Sequence, residues 1–354
     1  LSPAEALEDY HKKGLIPPSG ADVYSQLKEL LSNNLYDVQH INPKDPILPP
    51  ESDIVLWMQP RRNSTPVIDL LSAHLQQGKN AIVALQHFNI QQRQYRGSGF
   101  QTVYWPQPQF QDFDRFSQLY GVEQVREVLF DRTQSHLDLE TQVNRTAVRE
   151  YDAQQVALPF LIRAVAPNYR RQSALTRHLG DLLFIWGNRF ALNSERLAEI
   201  GMDAQVLVST SERSWAYAWS GGWLPPDVFS SSNYLQGTQP LAVQLTGLFN
   251  RARFSEDAEG RSQIELGEKA LGTSQLLLVG SSEMFKNEYL YAAGFQHDQF
   301  LLNAVAHMAY GEALAELQAR RPVSRGFAFQ NPQAKSAWRA VSIGLAPLLF
   351  ALYG

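Results

Sequence analysis

The chain has no cysteine among its 354 residues. Thiol nucleophiles, cysteine-ligated zinc and disulfides are therefore excluded together. That absence suits an extracytoplasmic protein without requiring one. Charge of one sign is also scarce: 31 Lys and Arg stand against 35 Asp and Glu, for a net charge of -4. The basic residues are scattered and form no stripe, so the footprint of nucleic-acid binding is missing. The chain opens on the polar stretch LSPAEALEDYHKKG, in which no secretory signal is visible. Because the first residue is Leu1, the expectation is a cut or processed amino end. The eight histidines (His11, His40, His74, His87, His136, His178, His297 and His307) show no HExxH or other short metal spacing. Neither a metal nor a cofactor is expected.

The glycine motifs fail in informative ways. GEKALGTS, from Gly267, has the glycine spacing of a phosphate loop. Thr273 stands where the phosphate-binding lysine must be. ATP hydrolysis by this chain is thus not expected. RGSGFQ supplies two glycines of a dinucleotide loop, lacks the third, and follows no strand.

What is present is an alternation of apolar strands and amphipathic helices. ADVYSQLKELLSNN sets Val23, Leu27, Leu30 and Leu31 on one helical face. LYDVQHIN reads as a strand, followed by a proline-rich connection and then DIVLWMQP, apolar without alternation as a strand covered on both faces should be. Thr65 can cap the next helix, Pro66 is harmless in its first turn, and Gly78 can end it. NAIVALQ follows as a buried strand, and strand–helix–strand implies a right-handed parallel crossover.

VREVLFD, VALPFLIRAV, DLLFIWG, AQVLVST, LAVQLTGLF and SQLLLVG read as further strands, and DFDRFSQLYG, NSERLAEIG and QFLLNAVAHMAYGEALAEL as helices. In the last of these, Leu301, Val305, Met308 and Ala309 share a face. QRQYRGSGFQTVYWPQPQFQ and residues 220–237 read as irregular insertions. FSEDAEGRSQIELGEKALG reads as a hairpin or loop. The fold class expected is α/β, a mostly parallel sheet flanked by helices, with irregular insertions.

In such sheets ligands bind beyond the carboxyl ends of the strands. Ser281 and Ser282 follow LLLVG there, as a nucleophile or a helix cap. Met284 occupies the last glycine position of the sharp-turn signature G-x-S-x-G. His74 lies on the apolar face of its helix and reads as a core residue. His87 ends a strand, without a nameable partner. TSERSWAYAWSGGWLPPDVF places Trp215, Trp219 and Trp223 four apart. Exposed, they would make a sugar-stacking platform or a partner anchor; buried, they would cover one end of the sheet.

Several of these segments, in this order, resemble the auxiliary component of gliding-motility-type ABC transporters, the GldG-like family. They are YDVQHINPKDPILPPESDIVLWMQP, STPVIDLLSAHLQQGKNAIVALQ, FSQLYGVEQVREVLFD, QVLVSTSERSWAYA, QLLLVGSSEMFKN and FLLNAVAHMAYGEAL. The resemblance covers most of residues 21–354. It implies a fold related to glutamine-amidotransferase-like (flavodoxin-like) domains, here without the cysteine that such chemistry needs. It implies a non-catalytic subunit on the extracytoplasmic (periplasmic) side of the cell membrane, beside an ABC-2-type permease and a separate ATPase, with polysaccharide or protein as cargo. An extracytoplasmic glycan-binding module and a serine hydrolase are the alternatives.

Residues 1–20 are then an N-terminal segment and 21–330 a compound α/β region. Residues 331–354 form a juxtamembrane segment and the start of a transmembrane helix. The charge-free run from Val341 to Gly354 is shorter than the roughly 20 residues that span a bilayer. It follows Lys335, Trp338 and Arg339, an interfacial kind of group. A terminal core helix is the other reading of that run.

Overall fold

Residues 80–84, NAIVA, carry no polar side chain after Asn80 and are fully buried from Ala81 on. The computed structural model describes residues 23–43, 45–61, 64–96, 100–134, 158–256 and 262–311. All belong to the first of two compact units, Leu1–Ala319. In chain order the elements begin with helix α1 (Ser25–Asn33), strand β1 (Ile54–Met58), helix α2 (Thr65–Gln76) and strand β2 (Asn80–Ala84). A hairpin of β3 (Phe88–Arg96) and β4 (Phe100–Pro108) follows, then α3 (Phe113–Leu119), β5 (Val122–Gln124) and β6 (Val128–Asp131). Next come β7 (Leu161–Ala164), β8 (Leu182–Ile185), β9 (Phe190–Leu192), α4 (Ser194–Glu199), β10 (Asp203–Ser209) and β11 (Ser214–Tyr217). The described chain closes with β12 (Pro240–Leu248), β13 (Ala252–Glu256), β14 (Ser262–Leu266), β15 (Thr273–Val279) and α5 (His297–Tyr310).

Five strands form the central sheet, in the order β1-β2-β15-β12-β10. Its β1-β2-β15 half is parallel, and β15-β12 and β12-β10 are antiparallel. Alternation of side chains across the strands splits the core into two layers. Ala81, Val83, Leu276 and Leu278 meet Ile68, Leu71 and Leu75 of α2 on one face. Ile82, Ala84, Leu277 and Val279 meet Leu27, Leu30 and Leu31 of α1 and Phe300, Leu301 and Val305 of α5 on the other. Each fully buried Leu or Phe here contributes about 1.5–3 kcal/mol of transfer free energy. The sandwich of helices over both faces explains why β2 and β15 read as unbroken apolar runs.

The sheet is mixed, where a mostly parallel one was expected. The antiparallel half comes from β12, which lies between β15 and β10 and runs opposite to both. VREVLFD and DLLFIWG supply β6 and β8, whose partners β11 and β7 make separate two-stranded sheets. LYDVQHIN is not a strand. Leu35 takes φ 68°, the amide of Tyr36 bonds back to Leu31 O at 3.1 Å, and Tyr36 and Val38 pack on the core instead.

The stretch read as irregular after residue 91 is the β3–β4 hairpin, nine residues a side, paired from Phe88↔Pro108 to Arg96↔Phe100. Residues 220–237 are irregular as expected, apart from a short 3-10 turn at Pro226–Ser230. β13 and β14 form the expected hairpin.

α2 starts at Thr65, its expected cap, so the cap position falls one residue earlier, without a side-chain capping bond. Ser64 is the capping residue, and its amide donates to Asp112 Oδ2 at 3.1 Å. Gly78 (φ 86°) ends the helix as expected, against Gly272, where any side chain would press on backbone 3.2 Å away. α5 buries Leu301, Val305 and Met308, leaves Ala309 exposed, and stops at Gly311. Among the described residues no helix is long and apolar enough to cross a membrane. The segments 1–20 and 331–354 lie outside the described residues.

Candidate functional site

The carboxyl ends of β2 and β15 adjoin at the middle of the sheet, where α2 covers one face and α5 the other. Open α/β sheets bind their ligands at such a change of side. In this chain the place is occupied by its own turn after β8, Trp186-Gly187-Asn188. Trp186 adopts φ 50° there, and its amide donates to Phe160 O at 3.1 Å.

Asn188 joins the two strands. Its amide donates to Gly280 O at 2.7 Å and its Nδ2 to the same oxygen at 3.0 Å. Its Oδ1 accepts the amide of His87 at 3.2 Å. Gln86 completes the plug: Nε2 donates to Phe88 O at 2.8 Å and Trp186 O at 3.1 Å, and Oε1 accepts the Ser282 amide at 3.1 Å. Gln86, His87, Asn188, Ser281 and Ser282 are all buried. The recess beside them, lined by Phe88, Ile90, Trp186 and Gly187, has a volume of about 10 Å³, room for one water.

The two serines therefore sit in a sealed network. Ser281 Oγ donates to Ile185 O at 2.9 Å, and Ser282 Oγ approaches Gln86 Oε1 at 3.5 Å. An attacking hydroxyl needs a base within hydrogen-bond reach and access for a substrate. Here each is turned to an amide oxygen. His87 faces away, its Nε2 at 3.0 Å from Gln124 O, and burial lowers its pKa to about 4. His74 is the core histidine expected, with Nε2 3.0 Å from Asn80 O and a pKa lowered to about 4, burial again first. His297, not singled out by sequence reasoning, is fully buried between Leu183 and Tyr289.

Two carboxyls near this end are perturbed. Glu283 is buried against Lys286 at 2.5 Å, and burial pushes it above the usual range despite that ammonium. Asp114 is pushed up to about 7 by burial, with Arg126 opposing. Its Oδ1 accepts from Gln111 Nε2 at 3.1 Å. These two carboxyls belong to different segments and share no hydrogen bond with the serines. Among the described residues no group of three or more His, Asp or Glu could hold a metal ion. Gly267 and Gly272 lie in the turn between β14 and β15, packed on backbone of Arg251 and Gly78, and do not cradle a phosphate. Residues 97–99 of RGSGFQ lie outside the described residues.

The three tryptophans have three fates. Trp215 is buried on β11: its ring stacks on Phe130 at 5.5 Å, its Nε1 donates to Val228 O at 2.7 Å, and Arg132 lies 5.0 Å above it. Trp219 is half-buried, edge-on to Phe88 at 5.7 Å, with Nε1 donating to Gly222 O at 2.9 Å. Trp223 is 50% exposed. The first two belong to an aromatic core that ties the β3–β4 hairpin to β6–β11 and β7–β8. A flat three-ring platform is not formed.

Sequence reasoning missed the plug. The signal was present: Gly187-Asn188 directly after an apolar strand is a turn pair whose amide side chain can satisfy backbone groups. It also missed Asp131, at the end of β6. This fully buried carboxylate accepts the amides of Thr133 and Ser211, each at 2.7 Å, and the Ser211 hydroxyl at 2.6 Å.

Compared with known proteins, residues 10–304 match the sequence model of a family described as ABC-type uncharacterized transport system. No curated protein matches the chain. Among solved structures, one titled "mmIFT52 N-terminal domain" is similar at a TM-score of 0.41 and 13% identity, over 82% of this chain and 91% of that chain.

Proposed function

Since this chain belongs to the family described as ABC-type uncharacterized transport system, as an auxiliary component, we propose that it is a non-catalytic binding subunit. It holds the permease, or the cargo, on the extracytoplasmic side of the cell membrane. The GldG-like, gliding-motility branch, the kinship with amidotransferase-like folds and the anchor at residues 331–354 are parts of this proposal. The partners are an ABC-2-type permease and a separate ATPase, to which ATP hydrolysis falls.

One observation carries the non-catalytic part. The crevice where an α/β sheet would take a substrate is filled by Asn188 and Gln86, which spend their hydrogen bonds on the chain itself. The lack of cysteine removes the nucleophile of amidotransferase chemistry. The perturbed carboxyls are the opposing consideration, since such groups cluster at functional sites.

The test is affinity capture of the chain, co-expressed with a candidate permease and ATPase from the same membrane. The expected result is a stable complex that survives Ser281→Ala with Ser282→Ala. A chain that purifies alone, or that turns over ester or amide substrates and loses this with those serines, overturns the proposal. A second reading, glycan binding, has the exposed Trp223 in its favour; Trp223→Ala should then abolish retention on a polysaccharide column.

A further inference from the structure

The two edges of the central sheet are unlike. β10 is protected: its register with β12 shifts between Val206 and Val208 and again before Ser209. The Arg170 amide bonds to Leu207 O at 2.9 Å, and Tyr169 bridges Val208. Bulges and covering segments of this kind stop a sheet from growing. Among the described residues β1 has none of them. It reads IVLWM, without charge, proline or bulge, and four of its five residues are only half-buried.

The hydrogen bonds show which groups of β1 face outward. Asp53 O accepts the Asn80 amide at 3.2 Å, and the Gln59 amide donates to Ala84 O at 2.9 Å. In a parallel pair both polar groups of a residue point to the same side, so the odd-numbered residues face β2. The N–H and C=O groups of Ile54, Leu56 and Met58 then point away from the sheet. Among the described residues none pairs with that side.

We propose that this edge pairs with the same edge of a second copy, antiparallel about a two-fold axis at Leu56. In that register Ile54 lies opposite Met58, and Leu56 opposite its own counterpart. These are all outward-facing residues, and each pairing exchanges two hydrogen bonds. Charge favours the same arrangement. Glu51 and Asp53 precede β1 and Arg61 follows it, all exposed. The Arg61 guanidinium donates to Gln59 Oε1 at 3.0 Å and to Gln109 Oε1 at 2.5 Å, which keeps the cation beside the carboxyl end of β1. The antiparallel alignment brings the acidic end of one strand to the basic end of the other, whereas parallel stacking would set Glu51 against Glu51. A self-complementary patch of this kind is what a two-fold interface requires. The inference does not rest on the transport reading, and its failure leaves that reading intact.

Sedimentation equilibrium of the 354-residue chain over a range of concentrations tests it. A monomer–dimer equilibrium is expected. Arg61→Glu, which sets like charges opposite Glu51 and Asp53, should weaken the dimer about tenfold or more. Adding Glu51→Arg to that variant should restore it. A chain that stays monomeric throughout, a dimer indifferent to Arg61→Glu, or no recovery in the double variant overturns the proposal.

Discussion

Asn188 and Gly280 are in backbone contact: two donors of Asn188 converge on the Gly280 carbonyl, at 2.7 and 3.0 Å. A methyl group at position 280 would lie 2.2 Å from the Asn188 oxygen and 2.9 Å from that of Leu241. Backbone cannot yield by that much without parting the β8–β9 turn from β15. Gly280→Ala is therefore expected to cost about 2–4 kcal/mol, the range of severe overpacking. Urea unfolding checks it through a lower midpoint with an unchanged slope.

The tryptophans should separate by role. Trp215→Ala removes a ring stacked on Phe130 and strands the Val228 carbonyl, and should destabilise by about 3–5 kcal/mol. Trp223→Ala, at a half-exposed position, should stay within about 0.5 kcal/mol. Thermal unfolding of the two variants side by side decides the matter. Equal losses would mean that Trp223 is also part of the core.

Asp131 ties the end of β6 to the turn between β10 and β11 through its three hydrogen bonds. Asp131→Ala leaves the Thr133 and Ser211 amides without their acceptor in a buried place, at an expected cost of about 2–4 kcal/mol. Amide hydrogen exchange gives a sharper readout. Those two amides should lose protection, while the β2 amides keep theirs until global unfolding.

These features were unequally legible in the sequence. β2, β15, α2 and α5 could be read because burial on both faces, or on one stripe, imposes an unbroken or periodic apolar pattern. The direction of β12 could not, since LAVQLTGLF has the same composition either way round. The β3–β4 hairpin was hidden by its uninterrupted polar run, Gln91-Gln92-Arg93-Gln94, which lacks the apolar/polar alternation that marks a strand. At the site, Ser281 and Ser282 were placed correctly at the carboxyl end of a strand. Their burial and pairing depend on Ile185 and Gln86, about one hundred and two hundred residues away, which no local pattern connects to them.

The buried histidines make the pH dependence of stability specific. Burial lowers His74, His87 and His297 to about 4 from an ordinary 6.5. In His297 the Leu183 amide donates to Nε2 at 2.9 Å, so the ring proton resides on Nδ1, which donates to Tyr289 O at 2.7 Å. A second proton would face an N–H. Between pH 6.5 and 4 the unfolded chain binds protons that the folded chain refuses, so each histidine's share of stability is lost as pH falls through that window.

Asp114 has the opposite sign. Its pKa is raised from 3.8 to about 7, so its stabilising share is present at low pH and lost as pH rises towards 7. His297→Gln should lower stability at pH 8 and also flatten its rise from pH 4 to 6.5, by up to about 1.4 kcal/mol per pH unit. Asp114→Asn should gain stability relative to the parent at pH 8, and that gain should shrink as pH falls to 4. Urea titrations at pH 4, 5, 6, 7 and 8 give both differences. Parallel curves for the parent and the His297 variant would mean that this histidine keeps its ordinary pKa in the fold.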